Sequence, residues 1–197
     1  MSVTTLVSLT IGALLVFWAV GAYNRLVRLR NIIANAFAQI DLQLKRRYDL
    51  IPNLVDAARK YLQHESSTLE AVISARNQAR SASDAVRARP TRAGAIVALA
   101  AAEQALDGSL ARLFTLAEAY PELKADQTIR ELSEELISTE NKVSFSRQAY
   151  NDAVLDYNDA QGQFPALVVA WLFGFAPSAM LQATQNVVER DAVRVSI

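Results

Sequence analysis

Few side chains in this sequence could do chemistry, and their spacing does little to favour it. There is one histidine, His64, followed directly by Glu65. A histidine beside a carboxylate can move a proton. No nucleophile, glycine-rich loop or second ligand stands near them, so the expectation is a polar contact at the end of a bundle. Asp152, Asp156 and Asp159 lie on one helical face, flanked by Tyr150 and Tyr157. A divalent ion needs converging oxygens, usually with a second helix donating carboxylates, and the Glu-x-x-His signature is absent. A salt-bridged or solvated face is expected instead. There is no cysteine, which excludes disulfides, thiolate catalysis, Cys-ligated zinc and lipid attachment at a cysteine. No catalytic, metal or cofactor residue is assigned, and no cofactor, small-molecule substrate or nucleic acid is inferred.

Two further groups are polar where apolar residues would be ordinary. Thr139, Asn141, Ser146 and Asn151 interrupt or border an apolar stripe. Buried polar groups need partners, so these are expected to set register between helices, with a small-ligand cavity as the alternative. Lys45, Arg46 and Arg47 form a basic run. An anionic-lipid site is one reading. Lys45, however, lies 20 residues beyond Arg25, ~30 Å along a straight helix. Surface potential fades within ~8 Å at physiological salt, so pairing with acidic residues of the chain is the expectation.

The charge distribution supplies those partners. The 197 residues carry 20 basic and 20 acidic side chains, for no net charge, which excludes a strongly basic nucleic-acid binder. Between Arg25 and Arg92 there are 13 basic and 6 acidic residues, net +7; from Ala93 to Ile197 there are 7 and 14, net −7. Such halves attract when packed side by side, so the field is mostly internal.

The elements that must position these groups read as helices. Met1 to Asn24 carries no charge, and Val3–Tyr23 is 21 residues long, enough to cross a ~30 Å hydrocarbon layer. Leu6, Ile11, Leu14, Leu15, Phe17 and Trp18 would form this membrane anchor. Arg25, Arg28 and Arg30 follow at once, and nothing basic precedes. The positive-inside rule then places the N-terminus outside and residues 25–197 in the cytoplasm. A cleaved signal peptide is the rival reading, but it usually has a basic leader and a shorter apolar core.

Ile33, Phe37, Ile40, Leu44, Tyr48, Ile51, Val55, Ala58 and Leu62 recur every three or four residues, as one helix face demands. Ser81–Gly94 reads as a loop. Ala95–Tyr120 reads as a helix stopped by Pro121. Ile129, Leu132, Leu136, Val143, Tyr150, Val154 and Tyr157 trace a last long stripe. No segment alternates with period two. The expected fold is therefore all-α: an N-terminal transmembrane helix, then an elongated up-and-down bundle of four long helices, or three with one kinked. The choice turns on Tyr48–Pro52. Asp49 could cap a new helix with Pro52 in its first turn. An unbroken rod from Arg25 to Ala82 would be ~87 Å long, against ~40 Å for the helix that follows. A turn at Asp49 is therefore favoured. The divisions are residues 1–24 as anchor, 25–163 as cytoplasmic bundle, 164–177 as an apolar proline-bracketed segment, and 178–197 as tail.

Two blocks carry a family resemblance. QIDLQLKRRYDLIPNLVDAARKYLQHE (Gln39–Glu65) resembles the signature of the LemA family of bacterial membrane proteins. YPELKADQTIRELSEELISTENKVSFSRQAYNDAVLDYNDAQGQFPALVVAWLFGF (Tyr120–Phe175) matches the same family nearly end to end. With the N-terminal apolar segment, the likeness spans about Val3 to Pro177. It implies a membrane-anchored, mostly cytoplasmic four-helix bundle with no known reaction. Some relatives are associated with magnetosome membranes. Where the family carries an aromatic-acidic segment after Phe175, this chain has Ala176–Leu181.

Phe164–Pro177 (FPALVVAWLFGFAP) is too short to span a bilayer. It could plug one end of the bundle, touch the membrane interface or contact another subunit. Phe164, Trp171, Leu172, Phe173 and Phe175, with Lys45, Arg46 and Arg47, form the candidate interaction surface. The expectation is a non-enzymatic scaffold or adaptor in the bacterial inner membrane, partnered by the bilayer and by itself or another membrane protein. A small-ligand sensor is the alternative and a membrane-associated metal enzyme a distant third.

Overall fold

The computed structural model describes residues 2–181, and these form helices and connecting segments with no strand among them. Helix α1 (Val3–Arg59) starts at Ser2, whose hydroxyl accepts from the Thr5 amide. Its side chains are exposed almost throughout from Val3 to Arg25. From Leu26 onward one stripe turns inward: Ile33, Phe37, Ile40, Leu44, Tyr48, Ile51, Leu54, Val55 and Ala58 are buried. The three- and four-residue spacing keeps that stripe on one face through seven turns.

No turn occurs at Asp49. Helix α1 runs straight through Pro52, and the chain reverses instead at residues 60–65. A proline inside a helix removes one amide and leaves the carbonyl four residues back without its donor. Here that carbonyl belongs to Tyr48, and the Arg76 guanidinium donates to it through Nε at 2.9 Å. The gap Pro52 opens is thus closed by a side chain from another helix.

The chain then returns as α2 (Ser66–Ala88), runs out again as α3 (Ala93–Ala117), and turns through the short α4 (Pro121–Ala125). Helix α5 (Gln127–Gly162) comes back, followed by α6 (Ala166–Phe173). The fold is all-α, an N-terminal apolar helix leading into a bundle of four long helices. The expected loop at Ser81–Gly94 shrinks to residues 89–92. Ala79, Ser83 and Val86 are the inward face of α2. The Ser83 hydroxyl donates to Asp41 at 3.0 Å, and Arg87 donates to both Asp41 oxygens at 2.9 and 2.8 Å. Small polar residues there make a buried contact, and Pro90 rather than serine ends the helix.

The bundle has a base, beside Tyr23, and a tip at residues 60–65. At the tip, Asp126 caps α5 by accepting from the Ile129 amide at 3.1 Å, and Tyr61 donates to its other oxygen at 2.9 Å. Those bonds hold the Asp126 carboxyl below its ordinary range, the amide first. Helices α2 and α3, of 23 and 25 residues, are roughly 35–38 Å long, against ~53 Å for α1 from Arg25 onward. The α2–α3 hairpin therefore stops short of the base, and its loop lies where the Tyr150 hydroxyl meets the Pro90 carbonyl at 3.5 Å. Below that level α1 and α5 are covered by α6 and by residues 175–181. This also explains why length pointed to the wrong turn: the rod need not be covered by one partner helix along its whole length.

Candidate functional site

Lys45, Arg46 and Arg47 are consecutive, and residues on an α-helix are ~100° apart, so the run cannot act as one patch. Lys45 is exposed and reaches Asp41 at 3.4 Å. Arg46 is exposed and donates through Nε to Glu135 on α5 at 2.9 Å. Arg47 points inward and is 4% exposed, so it is no part of an interaction surface. The reason is its position: it shares the buried stripe with Leu44, Tyr48 and Ile51.

Around Arg47 the acidic half of the chain closes in. One guanidinium nitrogen lies 2.9 Å from Glu103 and 2.8 Å from Glu140, and the other donates to Asp107. Tyr48 donates its hydroxyl to the second Glu103 oxygen. Helices α3 and α5 barely approach at main-chain level, and these side chains bridge the seam between them. Burial pushes the Glu103 carboxyl above its ordinary range, although Arg47 and the Tyr48 hydroxyl pull the other way. Burial, then the Glu103 charge, pushes the Tyr48 phenol well up. The cluster is a clamp across the seam, in which one buried oxygen, Glu140 Oε2, lies beside the Arg47 guanidinium without a hydrogen bond.

The base of the bundle is built differently. Ala170 of α6 packs with Leu26 of α1 and Ala160 of α5, with Leu29 and Phe175 against them. Tyr23, at the end of the apolar run, meets Phe173 and Phe175 edge to face at 5.0 and 5.5 Å. Gly174, at φ 69°, ends α6 in the left-handed conformation that favours glycine. The opposite side of α6 is open: Phe164 is 84% exposed and Trp171 82%, and Leu167, Val168, Leu172 and Phe173 are exposed beside them. Arg25, Arg28 and Arg30 are exposed at the same level.

Beyond α6 the chain doubles back along α5 as an extended strap. The Asn158 amide bonds the Ser178 main chain twice, and the Asn151 amide does the same to Leu181, all four bonds at 2.9 Å. Tyr157 donates to the Ala176 carbonyl at 3.0 Å and Tyr150 to that of Ala179 at 3.2 Å. Each asparagine replaces the strand a lone extended segment lacks. Each bond contributes about 0.5–1.5 kcal/mol net. Replacing Asn151 and Asn158 together by Ala will expose the Ser178 and Leu181 amides to hydrogen exchange while the α1 and α5 core keeps its protection. Unchanged protection at both amides would mean that the strap is held by its apolar contacts instead.

The remaining sequence candidates separate. Leu6, Ile11, Leu14, Leu15, Phe17 and Trp18 are exposed on the first half of α1. His64 and Glu65 sit in the turn at the tip, with His64 exposed. Asp152, Asp156 and Asp159 are exposed, and among the described residues no three carboxylate or histidine groups gather as an ion would need. Thr139 is buried and donates to the Glu135 carbonyl of its own helix at 2.8 Å. Asn141 and Ser146 border an open groove with Gln43, Ile137 and Phe145. Residues 182–197 of the expected tail lie outside the described residues.

Three features escaped the sequence reading. Arg76 was one exposed-looking arginine among several, and nothing local marks its target. Glu103 and Asp107 did carry a signal, as the only acids in an alanine-rich helix. The strap did too: Tyr–Asn occurs at Tyr150–Asn151 and again seven residues on at Tyr157–Asn158, two turns along one helix face.

Comparison with known proteins agrees with the two blocks in the sequence. Residues 36–197 match the model of the LemA family. Over 188 residues the chain is 29% identical to the protein LemA of Metamycoplasma hominis, covering 95% of this chain and 80% of that protein.

Proposed function

The chain belongs to the LemA family, and on that premise we propose that it is a non-enzymatic membrane-anchored scaffold or adaptor. One observation carries this reading. A single 57-residue helix, α1, is apolar and exposed almost throughout from Val3 to Tyr23 and carries the buried stripe of the bundle from Leu26 onward. Its most apolar 18-residue window has a mean hydropathy of 2.2 with none of it buried. Such side chains are unfavourable in water and at home in a bilayer. The two parts are one continuous helix, so the apolar segment joins the bundle without an intervening loop.

The finer reading follows from charge. With Arg25, Arg28 and Arg30 on one side only, the N-terminus lies outside and the bundle in the cytoplasm of a bacterial inner membrane. The bundle would assemble with itself or with another membrane protein. The lack of cysteine and the single, exposed histidine support a role without catalysis.

A reporter enzyme fused after Ile197 is expected to be active only in a cytoplasmic format. Activity of a periplasmic format would overturn the orientation. Crosslinking of tagged and untagged copies in intact membranes should yield a mixed oligomer or one discrete heteromer. Recovery of monomer alone would sink the scaffold reading.

A further inference from the structure

We propose that the open face of α6 is a second membrane attachment, lying in the headgroup layer beside the exit of α1 and fixing the bundle's orientation about that helix. The inference rests on reading Val3–Tyr23 as the membrane span. Four observations select a bilayer over a protein as the occupant.

The first is depth. Twenty-one residues of helix rise ~32 Å, against a hydrocarbon core of ~30 Å, with roughly 5–8 Å of headgroup layer on each side. Tyr23 thus marks the boundary. Phe173 and Phe175 touch Tyr23, and Ala170 touches Leu26. Helix α6 therefore sits within about one α1 turn of the hydrocarbon edge.

The second is composition. From Gln163 to Leu181 there is no charged side chain, and the outward face of α6 presents Leu167, Val168, Trp171 and Leu172, with Phe164 exposed just before the helix. Trp171 and Tyr23 at that depth match the aromatic belt of membrane interfaces, and a face of Trp, Phe and Leu is that of a helix lying in the interface. An eight-residue helix is too short to cross but long enough to lie in the interface.

The third is charge. Arg25, Arg28 and Arg30 are exposed at the same level, where anionic headgroups would meet them. The fourth is continuity. The apolar surface of α1 passes into that of α6 through the Tyr23–Phe173–Phe175 contact, so one apolar surface serves both. Attachment at two points stops the bundle from swivelling about α1. Its outer faces are then always presented in the same direction along the membrane.

The test uses the two tryptophans of the full-length protein in vesicles containing anionic lipid. In the Trp18→Phe variant, Trp171 emission is expected to be blue-shifted and quenched more strongly by bromines near the headgroups than by bromines deep in the acyl chains. In the Trp171→Phe variant, Trp18 reports whether α1 has inserted. Red-shifted, unquenched Trp171 with quenched Trp18 would overturn the α6 contact and leave the span intact. Loss of quenching at both would remove the span and the inference with it. Blue-shifted Trp171 that ignores lipid bromines but weakens as protein is diluted in lipid would assign the face to a second copy and overturn the bilayer contact.

Discussion

Replacing Arg47 by Leu will destabilise the bundle by about 3–5 kcal/mol, the cost of leaving a buried charge without its partner. Glu103 is 3% exposed and would keep only the Tyr48 hydroxyl as a donor. Asp107 has a side chain 28% exposed, so water relieves it, whereas the Glu140 oxygen facing Arg47 is buried and shares the cost with Glu103. Arg47→Lys should lose less, because the charge stays, but one ammonium cannot reproduce the planar fork that spans three carboxylates. The pH dependence has a definite sign. A carboxyl held above its unfolded value costs stability once pH exceeds that value, about 4.3 for Glu. Burial already pushes Glu103 upward, with Arg47 opposing. Removing Arg47 raises it further. The deficit of Arg47→Leu should therefore be largest near pH 7 and shrink towards about pH 4.5, as Glu103 takes up a proton. Denaturant melts of both proteins in detergent at the two pH values measure this. A deficit under about 0.5 kcal/mol, or one that does not change with pH, would mean that the cluster is loosely hydrated and not a clamp.

Arg76→Leu is expected to cost about 1–3 kcal/mol, because the buried Tyr48 carbonyl then has no donor. The informative measurement is a double-mutant cycle with Pro52→Ala. Alanine at 52 restores the amide that an α-helix normally directs to the carbonyl four residues back. In that background the Tyr48 carbonyl is satisfied from within α1, and losing Arg76 should cost far less. The two substitutions should therefore couple by roughly 0.5–3 kcal/mol, the range for groups sharing one partner. Costs that add within about 0.3–0.5 kcal/mol would show that Arg76 acts only through packing or through Asp49, 3.9 Å away.

Much of the architecture is legible without coordinates. The apolar run at Val3–Tyr23, the stripe from Ile33 to Leu62 and the second stripe from Ile129 to Tyr157 are local patterns. A helix of given period buries the same face whatever it packs against, so the all-α fold follows from spacing alone; the count of long helices does not, because the stripe runs unbroken through Pro52 and the turn that makes four lies at residues 60–65. The two matching blocks carry the family through the identity and order of their residues.

Other features depend on groups far apart in the chain. Pro52 looks like a break, because every local rule says that its missing amide must be compensated nearby. The compensation comes from Arg76, on the next helix. Ser81–Ala88 reads as part of a loop because its residues are small and polar and Pro90 and Gly94 follow; Asp41 supplies the partner that makes Ser83 an inner residue. Lys45, Arg46 and Arg47 look alike in sequence, yet only Arg47 shares the buried stripe, where Glu103, Asp107 and Glu140 make burying a charge tolerable. The strap and the exposed face of α6 are likewise products of lengths that do not match. The α2–α3 hairpin ends short of Tyr23, and the residues after Gly162 fill the space it leaves. Periodicity records which side of a helix avoids water. Which distant donor or carboxylate meets a buried polar group is decided only when the helices pack, because that energy belongs to the pair and not to either residue.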